Sequence, residues 1–201
     1  MNRKNKVIKD IGVFMEEKWG REFSEKVLAT AWKSYDTLCM ENMEDTKAVK
    51  KHTFEKIYPC ISLYEGLLEN GKDREEAVLF LDISFSRRAE NDAEAIRKAL
   101  KIPGMYRLMP KIFKWMTVNN FGENQGFKAT FYDTDKREIK FDMTQCLYCD
   151  VLRKYGYPEL IPCFCHTDDV TNGNMHPKLC WHRTKIMGDG GDVCDFNLFI
   201  K

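Results

Sequence analysis

The sequence predicts an α+β protein in which an N-terminal helical half packs on a small antiparallel sheet that carries helices of its own. Three observations predict it. Apolar residues recur at three- and four-residue spacing through the first part of the chain. After Phe121-Gly122 the period changes to alternation, as a strand requires. The last third then collects six of the eight cysteines and three of the four histidines. The chain divides into a helical region, 1–116, and an α+β region, 117–201, expected to share one compact unit.

Taken in order, Phe23, Val27, Leu28, Ala31, Trp32, Tyr35, Leu38 and Cys39 form one apolar side of a helix. Pro59 opens a second run with the stripe Ile61, Tyr64, Leu67 and Leu68, and Asn70-Gly71 stops it with a left-handed residue. Asp73 is placed to cap the next helix, with Glu76 closing a capping box, and that helix runs toward Leu100 before Pro103-Gly104. A short helix follows from about Met105 to Trp115. Phe127, Ala129 and Phe131, the turn Asp133–Arg137, and Ile139, Phe141 and Met143 predict a β-hairpin. Cys146 to Tyr155 predicts a helix ending near Gly156, and 178–185 and 193–200 predict two further strands about the turn Gly188–Gly191. Asp168 to Pro177 lacks an apolar period and is expected to be a functional loop beside the pocket.

Composition sets the outer limits. Two hundred and one residues suffice for one sizeable core, and 43% apolar with 31% charged residues is ordinary for a folded globular chain. With 32 Lys+Arg against 31 Asp+Glu, the net charge of +1 lacks the basic footprint of a nucleic-acid or membrane-surface binder. No stretch reaches the roughly 18 apolar residues of a membrane span. The basic start, Met1–Lys6, is followed by Asp10, Glu16, Glu17 and Lys18 before a secretory apolar core can form, so a cytoplasmic location with reduced thiols is expected.

The C-terminal residues carry a resemblance. Cys146-Leu-Tyr148, Tyr155-Gly-Tyr-Pro-Glu-Leu160, Phe164-Cys165-His-Thr-Asp168-Asp169, Gly173-Asn-Met-His176-Pro-Lys178, Trp181-His-Arg183-Thr184 and Gly190-Gly-Asp192-Val-Cys194-Asp195-Phe196 occur in that order. Together they resemble the signature of the L-2-amino-thiazoline-4-carboxylic acid hydrolase family, and the helical half is similar at Pro59–Gly71 and Glu75–Ala77. Ile186 stands where the family pattern has a second threonine. The resemblance implies hydrolytic opening of a cyclic isothiourea to a carbamoylated cysteine, with a small-molecule substrate and no organic cofactor. The ending Gly191–Phe196 is also similar to small-molecule-sensing vinyl-reductase domains, which implies binding without turnover.

Such a ring opening needs a nucleophile, a proton for the departing sulfur and a cation for the substrate carboxylate. Cys165 is the candidate nucleophile, or lies beside the attacking water; a thiol there needs a base or a positive field. His176 is the candidate base, with His166 in reserve. Asp168 is placed to orient His176 or activate water. Arg183, whose planar fork matches a carboxylate, is the candidate clamp. Cys194 is a further catalytic candidate; Cys146 and Asp192 complete the substrate-contact set. The plainer alternatives are a buried Cys165, a backbone-bonded His176, a capping Asp168 and a surface ion pair of Arg183 with Asp192 or Asp195. The rival use of these residues is zinc: Cys146-x-x-Cys149 precedes Cys163-x-Cys165 at a near-ribbon spacing, with His166, His176 and His182 as further ligands.

Overall fold

A computed structural model describes residues 4–201; Met1–Arg3 of the basic start lie outside the described residues. The helical half begins with α1 (Lys6–Trp19), whose N-cap Asn5 accepts from the Ile8 N–H, and α2 (Arg21–Glu41), set off from it by Gly20 at φ +85°. Next, α3 (Lys47–His52), a π-helical turn (Thr53–Ile57) and α4 (Tyr58–Glu69) form one continuous helical path. Pro59 therefore does not open a helix from a loop. It cannot donate to a carbonyl behind it, and the wide turn before it absorbs that loss. The Phe54 carbonyl in this turn accepts from Asn5 Nδ2 and from the Tyr35 hydroxyl, each at 3.0 Å.

Asn70-Gly71 ends α4 as predicted, with Gly71 at φ +91°. Asp73 caps α5 (Arg74–Ala99) by accepting from the Glu76 N–H at 2.8 Å. The capping box is only half made, because the Glu76 carboxylate turns to Lys72 at 2.9 Å. A 3₁₀ turn at Met105–Leu108 leads into α6 (Met109–Asn120), a little longer than its apolar pattern indicates.

The expected hairpin is β1 (Lys128–Phe131) and β2 (Glu138–Gln145); β3 (Leu179–His182) and β4 (Cys194–Ile200) complete an antiparallel sheet in the order β1-β2-β4-β3. The last strand is thus central. Its residues Cys194, Phe196 and Leu198 face the core, opposite Met143, Phe141 and Ile139 of β2, while Asp195 faces away. Phe196 and Phe141 stack at 5.0 Å, and Phe113 of α6 closes on Phe141 and Trp181.

Two helices lie between the hairpin and β3: α7 (Leu147–Lys154) and α8 (Ile161–Asn172). The segment 168–177 is therefore not a loop from its start, since Asp168–Asn172 is the end of α8. Its apolar residues are crowded into the first half, Ile161, Cys163, Phe164 and Cys165, which hides the helical period in the polar second half. One buried cluster runs from Val7 to Leu198 and takes in both halves. Ile61, Leu63 and Leu67 of α4 are wholly buried in it, each worth about 1.5–3 kcal/mol of apolar burial. Among the described residues no helix is long and apolar enough to cross a membrane.

Candidate active site

Helical spacing puts Cys165, Asp168 and Asp169 of α8 on one face, since residues three and four apart are neighbours. The guanidinium of Arg183, just beyond β3, lies against that face. Its Nη2 donates to the Cys165 carbonyl at 3.0 Å and to Asp169, and its Nη1 donates to Asp168 at 3.4 Å. Asp169 also accepts from Trp181 Nε1 at 2.9 Å. The Arg183 side chain is only 2% exposed, sits over the Phe196 ring, and leaves its buried Nε without a partner among the described residues.

Asp168 behaves differently from Asp169. By area its side chain is 45% exposed, while the protein packed around it penalises its charged form. That enclosure pushes its carboxyl up to about 6; Arg183 and Lys56 oppose the shift and Asp169 adds to it. A carboxyl tuned to this range can accept and return a proton near neutral pH.

The thiols approach from three elements. Cys165 is buried, and the 3₁₀ turn Met187–Asp189 lies over it so closely that a Cβ on Gly188 would come within 2.8 Å of its Sγ. Burial, with Cys194 and Asp168 nearby, pushes the Cys165 thiol up to about 12. Burial pushes Cys194 up to about 11, against the Met187 N–H that donates to its Sγ at 3.2 Å. Half-buried Cys146 is the N-cap residue of α7 and interacts with Cys149 one turn on. This raises Cys146 and lowers Cys149. Cys146, Cys165 and Cys194 lie within electrostatic reach of one another, so both of the first two are near the last strand's thiol.

Cys146, Cys165, Asp168, Arg183 and Cys194 are thus brought together, and His176 and Asp192 are not. His176 stacks face to face on Tyr106 at 4.8 Å, and its Nδ1 accepts from the Lys178 N–H at 3.1 Å. It lines a surface hollow of about 780 Å³ with Arg97, Ile102 and Asn174. The loop after Asn172 carries its ring to the α5–α6 connection, so it does not stand beside Cys165. Asp192 is an exposed partner of Lys185 at 3.1 Å. His166, the reserve base, pairs with Asp82 at 2.8 Å in a second hollow of about 590 Å³ between α5 and α8. Neither hollow is lined by Cys165, Asp168, Arg183 or Cys194.

The anticipated surface pairing of Arg183 with Asp192 or Asp195 is not made. Asp195 instead accepts from the Thr184 N–H at 2.7 Å, the Thr184 hydroxyl and the Lys185 N–H, bracing the chain just after Arg183. Of the cysteines in the zinc reading, Cys163 turns toward α5, away from Cys146, Cys149 and Cys165. Cys163 donates weakly to the Val78 carbonyl, Cys180 to that of Trp181, and among the described residues no three His, Cys, Asp or Glu side chains are arranged to hold a metal ion.

Residues outside the predicted set join the cluster. Tyr148 lies within electrostatic reach of Cys146 and Asp168, and burial pushes its phenol far up. Its hydroxyl is 3.1 Å from Nδ1 of buried His52, whose Nε2 is 2.8 Å from the Asn120 carbonyl. A carbonyl only accepts, so Nε2 carries the proton and Tyr148 donates to Nδ1. Tyr148 stood in the motif Cys146-Leu-Tyr148 and was legible there; His52 lay alone in the helical half with no pattern around it.

The profile of the L-2-amino-thiazoline-4-carboxylic acid hydrolase family matches residues 50–198, about three quarters of the chain. No match is found among curated proteins. The matched span contains every residue of the cluster just described, from His52 to Cys194. The chain belongs to the L-2-amino-thiazoline-4-carboxylic acid hydrolase family.

Proposed function

We propose that the protein is a hydrolase that opens a small cyclic isothiourea or amidine-type substrate, such as 2-amino-thiazoline-4-carboxylate, to a carbamoyl-cysteine. The observation that carries this reading is the convergence of Asp168, Arg183 and three thiols in a chain of that family. Asp168, rather than His176, is the base. Its carboxylate takes a proton from water, and the water oxygen bonds to the ring carbon between sulfur and nitrogen. The carbon–nitrogen double-bond pair moves to the ring nitrogen, which takes the proton of the added hydroxyl as the carbonyl forms; the carbon–sulfur bond breaks with its electron pair going to sulfur, and the proton held by Asp168 passes to that sulfur. One water is consumed, and no organic cofactor or metal enters the balance.

Cys165 lies beside the attacking water in this scheme. Its thiol, pushed up to about 12 by burial, holds its proton at neutral pH and is a donor rather than a nucleophile. Arg183 positions α8 and tempers Asp168; its terminal nitrogens are engaged by the protein itself, so it is not a free clamp. The partner in this reading is a small molecule and the location cytoplasmic.

Incubation with 2-amino-thiazoline-4-carboxylate, followed by the loss of thiazoline absorbance and the appearance of a free thiol, tests the proposal. Ring opening above the buffer rate is expected; none at any protein concentration sinks it. The closed state of Arg183 and the high thiol values favour one second reading, a binding or sensor protein without turnover. A ligand-induced rise in Tm with no product would select that reading.

A further inference from the structure

The motif Gly173-Asn-Met-His176-Pro-Lys178 takes no part in the proposed ring opening, yet Asn174 to Lys178 form one wall of the surface hollow of about 780 Å³. The other wall is the α5–α6 connection, Leu100–Gly104 with Tyr106 and Arg107, together with Arg97 in the last turn of α5. We propose that this hollow binds a phosphate monoester group. The site is separate from the Cys165–Asp168–Arg183 cluster, none of whose residues line it, and it does not depend on the ring opening.

Its charge is one-sided. Arg97, Lys101, Arg107 and Lys178 line the hollow, and no Asp or Glu does. Arg97 is engaged by Glu90 from outside it, whereas Lys101, Arg107 and Lys178 form no ion pair with a described carboxylate. The sequence keeps acids away on both sides, since neither 95–122 nor 170–188 contains an Asp or Glu in a chain that has 31 of them. The whole-chain balance of +1 averages this local excess away. A concave surface with unneutralised cations of one sign concentrates anions.

The cations gather about one aromatic pair. Tyr106 and His176 stack at 4.8 Å with their planes 5° apart, Arg107 Nε donates to the Tyr106 hydroxyl at 3.3 Å, and Lys178 Nζ lies 5.3 Å from the centre of the Tyr106 ring. The Arg107 hydrogen bond, with the charges of Arg107 and Lys178, lowers the Tyr106 phenol. Because His176 Nδ1 accepts from the Lys178 N–H, the neutral ring carries its proton on Nε2, a further donor with no partner among the described residues. A carboxylate has one charge and a planar pair of oxygens that a single arginine matches. A phosphate monoester carries nearly two charges and three acceptor oxygens that point apart, so it answers several separated cations at once. Leu100, Ile102, Pro103 and Met175 give the hollow an apolar part for whatever the phosphate is attached to, and its volume is that of sites for small organic molecules.

Two sources carry such a group, a soluble ester and an acidic phospholipid, and two probes separate them. Glycerol 3-phosphate is titrated calorimetrically beside glycerate, its carboxylate counterpart. Vesicles of phosphatidylcholine with phosphatidic acid are sedimented with the protein beside vesicles matched in surface charge with phosphatidylserine. Binding of glycerol 3-phosphate about tenfold or more tighter than glycerate, and weakening with salt, is expected for a soluble ester; retention on the phosphatidic acid vesicles alone is expected for a lipid headgroup. In either case Arg107→Gln and Lys178→Gln each lower the affinity by about tenfold, with the Tm of the free protein unchanged because both side chains are exposed. Binding of neither probe overturns the site. So does glycerate binding as tightly as the ester, equal retention on both kinds of vesicle without binding of glycerol 3-phosphate, or binding that both variants keep.

Discussion

At Asp168, enclosure by protein pushes the carboxyl up to about 6 while Arg183 and Lys56 pull it down, so the proton affinity of one side chain reports the balance of its surroundings. If that carboxylate is the base, kcat/KM must rise with pH through an acid limb near 6, because only the ionised form accepts a proton from water. Asp168→Asn removes the limb and lowers kcat by roughly 10²–10⁴; a variant with an unchanged pH–rate profile would show the base to be elsewhere. Arg183→Gln removes the opposing charge and should move the limb to higher pH. Cys165 supplies a second residue-level test. A thiol at about 12 is not an attacking group at pH 7, so Cys165→Ser should keep its rate within about tenfold. Loss of all turnover in a folded Cys165→Ser protein would restore the sulfur to the nucleophile's role.

Among the elements, α2 and α4 approach closely at Gly66. A Cβ there would lie 2.7 Å from the Val27 carbonyl oxygen and 3.1 Å from Val27 Cγ1. Backbone cannot step aside as a side-chain tip can, so Gly66→Ala should cost about 1–3 kcal/mol in urea denaturation, with kcat of the folded fraction unchanged. Gly66 stood inside a predicted helix, but a helix pattern identifies the buried face and not the distance to the next backbone. The same distinction runs through the fold. Asp73 and Gly71 act within one turn of their own positions, and the strands of the hairpin alternate on their own sequence, so these features were legible. The half-made capping box was not, since Glu76 chooses Lys72 over the backbone only once both side chains are placed. Nor was the end of α8, where Asp168 and Asp169 are polar because they answer Arg183 and Trp181 rather than because the chain leaves the helix. In the site, the Cys165–Asp168–Arg183–Cys194 grouping followed from ordered motifs. The exclusion of His176 depended on its stack against Tyr106, seventy residues earlier in the chain.

Across the whole molecule, His52 and Asp168 set opposing demands on stability as pH falls. His52 joins α3 to the end of α6 and to α7, and burial holds its pKa down at about 4 against an ordinary 6.5. Between those values the unfolded chain binds a proton that the folded one refuses, so stability is lost as pH drops from about 6.5 to 4, by roughly 3 kcal/mol if His52 acted alone. Asp168 has the reverse sign. Its folded value of about 6 lies above the ordinary 3.8, so the folded state binds the extra proton and gains stability as pH drops through that window. Because its carboxyl is half exposed, solvent screening makes its share the smaller one. Wild type should therefore lose less stability between pH 7 and 4 than the His52 contribution alone demands. Removing either partner should expose the other. Asp168→Asn is expected to steepen the acid loss, and His52→Gln, though less stable at pH 7, to flatten or reverse it. Urea midpoints for the three proteins at pH 7, 6, 5 and 4 read this directly, and parallel curves for wild type and Asp168→Asn would mean that the carboxylate is already ordinary in the folded protein, removing with it the basis for its tuned role beside Arg183.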